Sequence, residues 1–107
     1  MYYVYLWDRS RYCPDNMRII KEYKIDKALA ESFFILDSAT YPILSELSYV
    51  DFDLYFGDLL YELKQDLNNY LTSENKFHSE VEKIISFVDE AINTEKSILF
   101  DPFRMDN

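Results

Sequence analysis

Carboxylates at a spacing that resembles a calcium loop are the first candidates for chemistry in this sequence. Asp51 and Asp53 are separated by one residue, and Glu62 follows eleven residues after Asp51. A calcium loop of this kind needs glycine at its sixth position for a sharp turn, but Phe56 stands there. Phe56 also belongs to the apolar face of a predicted helix, which is incompatible with a ligand loop. We therefore expect no metal site here.

Nucleophiles and bases occur without the partners that catalysis needs. Cys13 is the single cysteine and His78 the single histidine, so neither a histidine-based triad nor a histidine metal site can be assembled. The single glycine, Gly57, cannot form a phosphate-binding loop, which uses several glycines. Carboxylate pairs such as Asp58 and Glu62 are typical of an exposed helix face. We expect no enzyme and no cofactor.

A strip of negative charge on the long predicted helix is the feature that points to a function. It spans about 80° of the polar face. The strip consists of Tyr55, Asp58, Glu62, Asp66 and Asn69. Asp51 precedes it and Tyr61 lies at its border, and all seven residues are predicted to bind a partner. Carboxylates at positions i, i+4 and i+8 repel one another by a few tenths of a kcal/mol per pair. Tyrosines are favoured at interfaces, so the strip predicts a surface that binds a cationic protein.

Two helices that must position this strip are predicted in the second half of the chain. One runs from about 52 to 71 and the other from about 74 to 93, capped by Ser73. The polar connection between them is short, so they should lie antiparallel. The apolar face of the first helix is predicted to form core: Phe52, Phe56, Leu59, Leu60, Leu63, Leu67, Tyr70 and Leu71.

The other elements are shorter. Apolar residues over 2–7 and alternating residues over 17–25 favour a two-stranded hairpin, with a helix across 17–25 as the alternative. Asp26 is expected to cap a helix over 27–36, Pro42 to begin a short helix through about Leu47, and a last short helix to run from Glu95 to Phe100. The predicted class is mainly α, a single domain over 1–107 built as a small antiparallel helical bundle with an optional N-terminal β-hairpin; the alternative is α+β.

Charge and composition limit the partners. The chain carries 20 acidic and 11 basic residues, a net charge of -9, and 49% hydrophobic residues. A chain this acidic is repelled by nucleic acid and by anionic membranes, whereas a basic protein is attracted. One cysteine excludes a disulfide scaffold, and no apolar run reaches the length of a membrane span or forms a signal peptide. We expect a cytoplasmic protein that is a monomer when free.

The size, the charge, the helical second half and the segment Asp51-Phe52-Asp53-Leu54-Tyr55-Phe56-Gly57-Asp58 resemble the bacterial immunity proteins of colicin-type and contact-dependent growth-inhibition toxins. The resemblance is one of type and transfers no residue role. It implies a protein that binds a cognate toxin domain, often a basic nuclease, and covers its active site or substrate groove.

Two other functions fit the same features. One is a nucleic-acid mimic that inhibits a DNA-binding protein of host defence, since acidity would serve it equally. The other is a regulatory module that forms a helical homodimer through its aromatic surface. The gene of an immunity protein should lie next to a toxin gene, whereas the gene of a nucleic-acid mimic should not. A homodimer would be identified by its mass in solution, measured at two concentrations.

Overall fold

Strands and helices are interspersed along the chain in the computed structural model, which describes residues 1–73 and 76–105. The elements, in chain order, are β1 (Tyr3–Trp7), β2 (Ile19–Lys24), α1 (Lys27–Phe34), β3 (Asp53–Tyr55), α2 (Asp58–Ser73), α3 (His78–Thr94) and β4 (Ser97–Asp101). Short 3-10 helices at Asp15–Met17 and Leu44–Glu46 lie in the connections.

The prediction of a mainly α bundle is wrong. In the described residues, three helices stand beside a four-stranded antiparallel sheet of order β2-β1-β4-β3, so the class is α+β. The segment predicted as a short helix from Glu95 to Phe100 instead overlaps the strand β4, which lies between β1 and β3. A continuous apolar run such as Ile98-Leu99-Phe100 suits a buried helix or a central strand. Pairing with distant strands on both sides selects the strand.

The N-terminal hairpin is confirmed, and the alternative of a helix across 17–25 is wrong. β1 and β2 pair antiparallel, with Val4 opposite Tyr23 and Tyr5 opposite Glu22. The register shifts between Leu6 and Trp7, as at a β-bulge. β1 also pairs with β4, which gives the hairpin the additional strands that an isolated pair needs for stability.

The first helix begins where its cap was predicted. The Asp26 carboxylate accepts a hydrogen bond from the Ala28 amide at 2.8 Å, and α1 follows from Lys27. α1 ends at Phe34, two residues before the predicted end. The short helix expected after Pro42 is present as the 3-10 helix Leu44–Glu46.

The long helix α2 begins six residues later than predicted. The segment 53–55 is the strand β3, and Gly57 has a φ of 61°, in the left-handed region that favours glycine. Phe52 and Phe56, which were counted on the apolar helix face, are therefore separated from α2. The interior face of α2 is formed by Leu60, Leu63, Leu67 and Tyr70, as predicted for these four.

The helix α3 follows α2 and packs against it. Its first residue is His78, preceded by Phe77 with a φ of 62°. The predicted start at 74 lies outside the described residues, and Ser73, the predicted cap, is instead the last residue of α2. Among the described residues, no helix combines the length and the apolar character required to cross a membrane.

The two faces of the sheet have different surroundings. Val4, Leu6, Ile98 and Phe100 point inward and form the main core with the helices. Tyr3, Tyr5 and Leu99 form a smaller cluster on the outer face. There the Arg104 guanidinium lies over the Tyr3 ring, 4.3 Å from its centroid, and pairs with Glu22 at 2.9 Å. The edge strand β3 therefore presents one side to the helical core and the other to the outer face.

Candidate functional site

Asp66, a predicted contact residue, is buried. It is 3% exposed, and one carboxylate oxygen accepts hydrogen bonds from the backbone amides of Ile43 at 2.8 Å and Leu44 at 3.1 Å. These amides stand at the start of the 3-10 helix Leu44–Glu46, where backbone donors lack partners within the helix. Asp66 therefore does not belong to an exposed strip, because its side chain is buried and accepts hydrogen bonds from the backbone of another segment.

Tyr55 is also buried rather than exposed. It lies in β3, is 4% exposed, and packs edge-on against Phe100 with the ring centroids 6.1 Å apart. The prediction had placed Tyr55 on a helix, where it would have shared a face with Asp58. In the strand its side chain points toward the core, so Tyr55 does not belong to an exposed strip.

The remaining predicted residues are divided along α2. Asp51 precedes β3, Asp58 begins α2, and Tyr61 and Glu62 lie in its first turns, all with exposed side chains. Asn69 is half-buried and lies about 16 Å further along the helix axis than Asp58. The structure therefore places Asp58, Tyr61 and Glu62 at the start of α2, with Asp51 before the other end of β3 and Asn69 further along the helix.

Three exposed apolar side chains next to these residues were missed by the sequence prediction. Phe52, Leu54 and Phe56 are 55%, 39% and 40% exposed. They alternate along the chain, and Leu54 stands opposite Leu99, a member of the outer-face cluster. Side chains directly opposite in a sheet share a face, so the period of two indicates that all three lie on the outer side of β3.

These apolar groups are partly held by neighbours. The Phe52 ring packs edge-on against Phe103 at a centroid distance of 5.0 Å. The Arg9 guanidinium lies 3.8 Å from the centroid of Phe56. Exposed apolar groups that cluster with polar residues mark interaction sites more often than isolated ones do. We call the exposed set the β3 surface: Asp51, Phe52, Leu54, Phe56, Asp58, Tyr61 and Glu62.

The β3 surface lies within a stretch of one charge sign. From Ala28 to Leu63 the sequence contains seven acidic residues and no lysine, arginine or histidine. Asp51, Asp58 and Glu62 make no ion pair with any described residue, whereas Lys64, one residue beyond the stretch, pairs with Asp89 at 2.7 Å. This absence of cations is a signal in the sequence that would have located the surface without a helical projection.

A buried carboxylate lies behind the surface. One oxygen of Asp53 is buried and has no hydrogen-bond partner among the described residues, and the same holds for the hydroxyls of Tyr2 and Tyr55. Burial, followed by the charges of Asp51 and Glu46, raises the pKa of the Asp53 carboxyl to about 6. Burial, and next the charge of Asp53, raises the pKa of both tyrosines. The three polar groups therefore lie within electrostatic reach of one another.

A cleft of about 390 Å³ adjoins the surface at the start of α2. Arg9, Asp58, Tyr61, Glu95 and Lys96 line it together with apolar groups. The Lys96 ammonium is paired with Asp8 at 3.3 Å. The cleft therefore brings carboxylates and one arginine to the rim of the β3 surface.

The single cysteine, Cys13, and the single histidine, His78, do not belong to the β3 surface. The Cys13 thiol donates to the Pro14 carbonyl at 3.5 Å. His78 lies 3.4 Å from Glu82, and both side chains are exposed. Among the described residues, no three histidine, cysteine or acidic side chains are grouped so that they could hold a metal ion. The surface offers charge and apolar contact area.

Comparison with protein-family models, with curated proteins and with solved structures gives no match for this chain. A function for this chain is therefore inferred from the chemistry of the β3 surface.

Proposed function

We propose that this protein binds and neutralises a basic protein partner, as an immunity protein does with its toxin. The observation that carries the proposal is the β3 surface, where exposed carboxylates that have no cationic partner among the described residues lie beside exposed aromatic side chains. A cognate nuclease domain is the partner that fits best, because a nuclease presents lysine and arginine to phosphates. The protein would cover the active site or substrate groove of that domain.

The arrangement of charges supports this proposal. Asp58 and Glu62 are separated by one helical turn and repel each other by a few tenths of a kcal/mol. A cationic partner would attract both carboxylates and so offset that repulsion. Complementary charge accelerates encounter, and exposed aromatic side chains slow dissociation because they bury a large contact area. The carboxylates and the rings of the surface would therefore act on different rate constants.

The partner can be sought as the product of the gene next to that of this protein. The two proteins would be co-expressed, purified through a tag on one of them, and tested for inhibition of nucleic acid cleavage by the partner. Inhibition at equal molar amounts supports the proposal. Co-purification of a DNA-binding protein without nuclease activity would favour the nucleic-acid mimic instead.

A double variant, Asp58→Asn with Glu62→Gln, tests the surface itself. We expect association at low salt to slow by about tenfold, with a weaker salt dependence. Tyr61→Ala should mainly accelerate dissociation. Surface plasmon resonance measures both rate constants.

The matched control is Asp15→Asn with Glu82→Gln, which also removes two exposed negative charges but lies outside the β3 surface. If the control slows association as much as the test variant, net charge and not this surface attracts the partner. Unchanged rate constants in the test variant and in Tyr61→Ala would exclude the surface from the interface.

A further inference from the structure

β3 is an edge strand with a free side. It pairs with β4 through Asp53, Leu54 and Tyr55, and no other described backbone group is hydrogen-bonded to it from the opposite side. An edge strand presents unpaired amide and carbonyl groups that can pair with another extended chain. Natural proteins often protect such edges with lysine or proline, and β3 contains neither.

The two faces of β3 determine which side chains a fifth strand would need. On the outer face, Phe52, Leu54 and Phe56 are exposed beside the free edge. Apolar side chains of an added strand would lie next to them and continue the outer layer. On the inner face, the residue opposite Asp53 would lie beside a buried carboxylate oxygen that has no partner among the described residues. A buried carboxylate is stabilised by a charged hydrogen-bond donor, so a cation fits this position.

The hydroxyls of Tyr2 and Tyr55 add to this preference. Both side chains are more than nine-tenths buried, and both hydroxyls lack a hydrogen-bond partner among the described residues. Together with Asp53 they offer several acceptor positions, which matches the several donors of an arginine or a lysine. Because the negative charges of Asp51 and Glu46 also act on Asp53, an anionic side chain is disfavoured there.

We propose that an extended basic segment of the protein partner adds to the free edge of β3 as a fifth strand, with apolar side chains against Phe52, Leu54 and Phe56 and a lysine or arginine beside Asp53. This inference rests on the proposed function, and it specifies how the partner is bound. Backbone hydrogen bonds supply the register-independent part of the affinity, and the alternating side chains supply the specificity.

The opposite edge of the sheet does not fit the same segment. β2 carries Lys21, Glu22 and Lys24 along its length. Lys21 pairs with Glu90 at 2.6 Å and Glu22 pairs with Arg104 at 2.9 Å. Lysines on an edge strand protect it against pairing, and here they also repel a basic chain. Strand addition is therefore directed to β3.

A synthetic peptide with alternating arginine and valine, about eight residues long, is the probe for this geometry. Amide hydrogen exchange of the whole protein, measured by NMR with and without the peptide, reports which edge is covered. We expect protection of the β3 amide groups that point away from β4 and unchanged exchange in β2. The same peptide with alternate backbone nitrogens methylated cannot complete the backbone pairing and should lose the protection.

The variant Asp53→Asn tests the inner-face cation. We expect it to bind the arginine peptide about tenfold more weakly and to bind a peptide with glutamine in place of arginine unchanged. Asp15→Asn, which removes an exposed charge outside the β3 surface, is the control and should bind both peptides as the original protein does. Circular dichroism of each variant verifies folding.

Four results would overturn strand addition. Protection at β2 or on the helices would place the peptide elsewhere, and equal binding of the methylated peptide would exclude backbone pairing. Protection of β3 that increases with the protein's own concentration in the absence of peptide would identify a second copy as the occupant. If a toxin partner is inhibited but leaves β3 unprotected in the complex, the proposed function stands and strand addition fails. If the peptide protects β3 but no basic partner is neutralised, strand addition stands and the proposed function fails.

Discussion

Replacing Asp53 with asparagine should stabilise the protein at neutral pH. The carboxyl is held on the inner side of β3, where burial and next the charges of Asp51 and Glu46 raise its pKa from 3.8 to about 6. At pH 7 the folded protein therefore contains a negative charge in an unfavourable place. Asparagine has nearly the same shape and no charge, so the variant removes this penalty while it retains a side chain that can form hydrogen bonds.

The sign and the magnitude follow from the two pKa values. Between pH 3.8 and about 6 the folded state binds a proton at Asp53 that the unfolded state has released. The stability contributed by this site is therefore complete at low pH and is lost as the pH rises through about 6. The full difference corresponds to about 3 kcal/mol at neutral pH. Because Asp53 is partly exposed to solvent, screening reduces the expected gain in the variant to about 1 kcal/mol.

Urea unfolding at several pH values between 4 and 8 measures this gain. Trp7, the single tryptophan, packs beside Tyr5 with ring centroids 6.2 Å apart and reports unfolding by fluorescence. The free energy of unfolding of the variant should exceed that of the original protein above pH 6, and the difference should approach zero near pH 4.

The reasoning would be refuted by a gain that is the same at pH 4 and pH 8, since titration of Asp53 could not then be its cause. A loss of stability at neutral pH would also refute it. Such a loss would mean that the charged carboxylate has a partner that stabilises it in the folded protein.

Two further substitutions test the structural roles assigned above. Asp66→Ala leaves the amides of Ile43 and Leu44 without an acceptor and should lower the free energy of unfolding by about 3 kcal/mol, whereas Asp66→Asn retains one acceptor oxygen and should cost less. Equal losses in urea unfolding would contradict this account. Gly57→Ala should lower the free energy of unfolding by about 1 kcal/mol, because alanine is strained at a φ of 61°. Steric overlap should add nothing, since an added Cβ would meet no atom of the described residues within 4 Å. A neutral result in thermal unfolding would show that the turn before α2 adjusts.

Local signals in the sequence were sufficient for several elements. Alternation predicted the hairpin, and Asp26 predicted the beginning of α1. The burial of Leu60, Leu63 and Leu67 also followed from helical spacing. In each case the signal comes from residues within one turn or one strand of the element that they determine.

The strands β3 and β4 could not be predicted in this way. β4 is stabilised by pairing with β1, as in Trp7 opposite Ser97, and no local pattern encodes a contact across ninety residues. β3 has three residues, too few for alternation to compete with the helical spacing of the segment that follows. The error shifted the start of α2 and with it the assignment of Tyr55.

The candidate site was predicted only in part, because the sequence prediction relied on the geometry of a single helix. Asp58, Tyr61 and Glu62 do lie on α2 with exposed side chains, as the helical projection predicts, whereas Asp51 is exposed before β3 and outside any helix. Asp66 has the same chemistry and the expected spacing, yet the connection that carries Ile43 and Leu44 packs over it. A helical projection places residues around one axis and contains no information on what another segment covers.

The position of β4 in the sheet has a kinetic consequence. β3 reaches the rest of the sheet through β4, and β4 follows β3 in the chain by more than forty residues that include both long helices. Closing so long a loop is entropically unfavourable until α2 and α3 have shortened the path between its ends. Folding should thus be slower than in a purely helical chain of this size, and the edge at β3 should acquire its shape late, in the step that inserts β4.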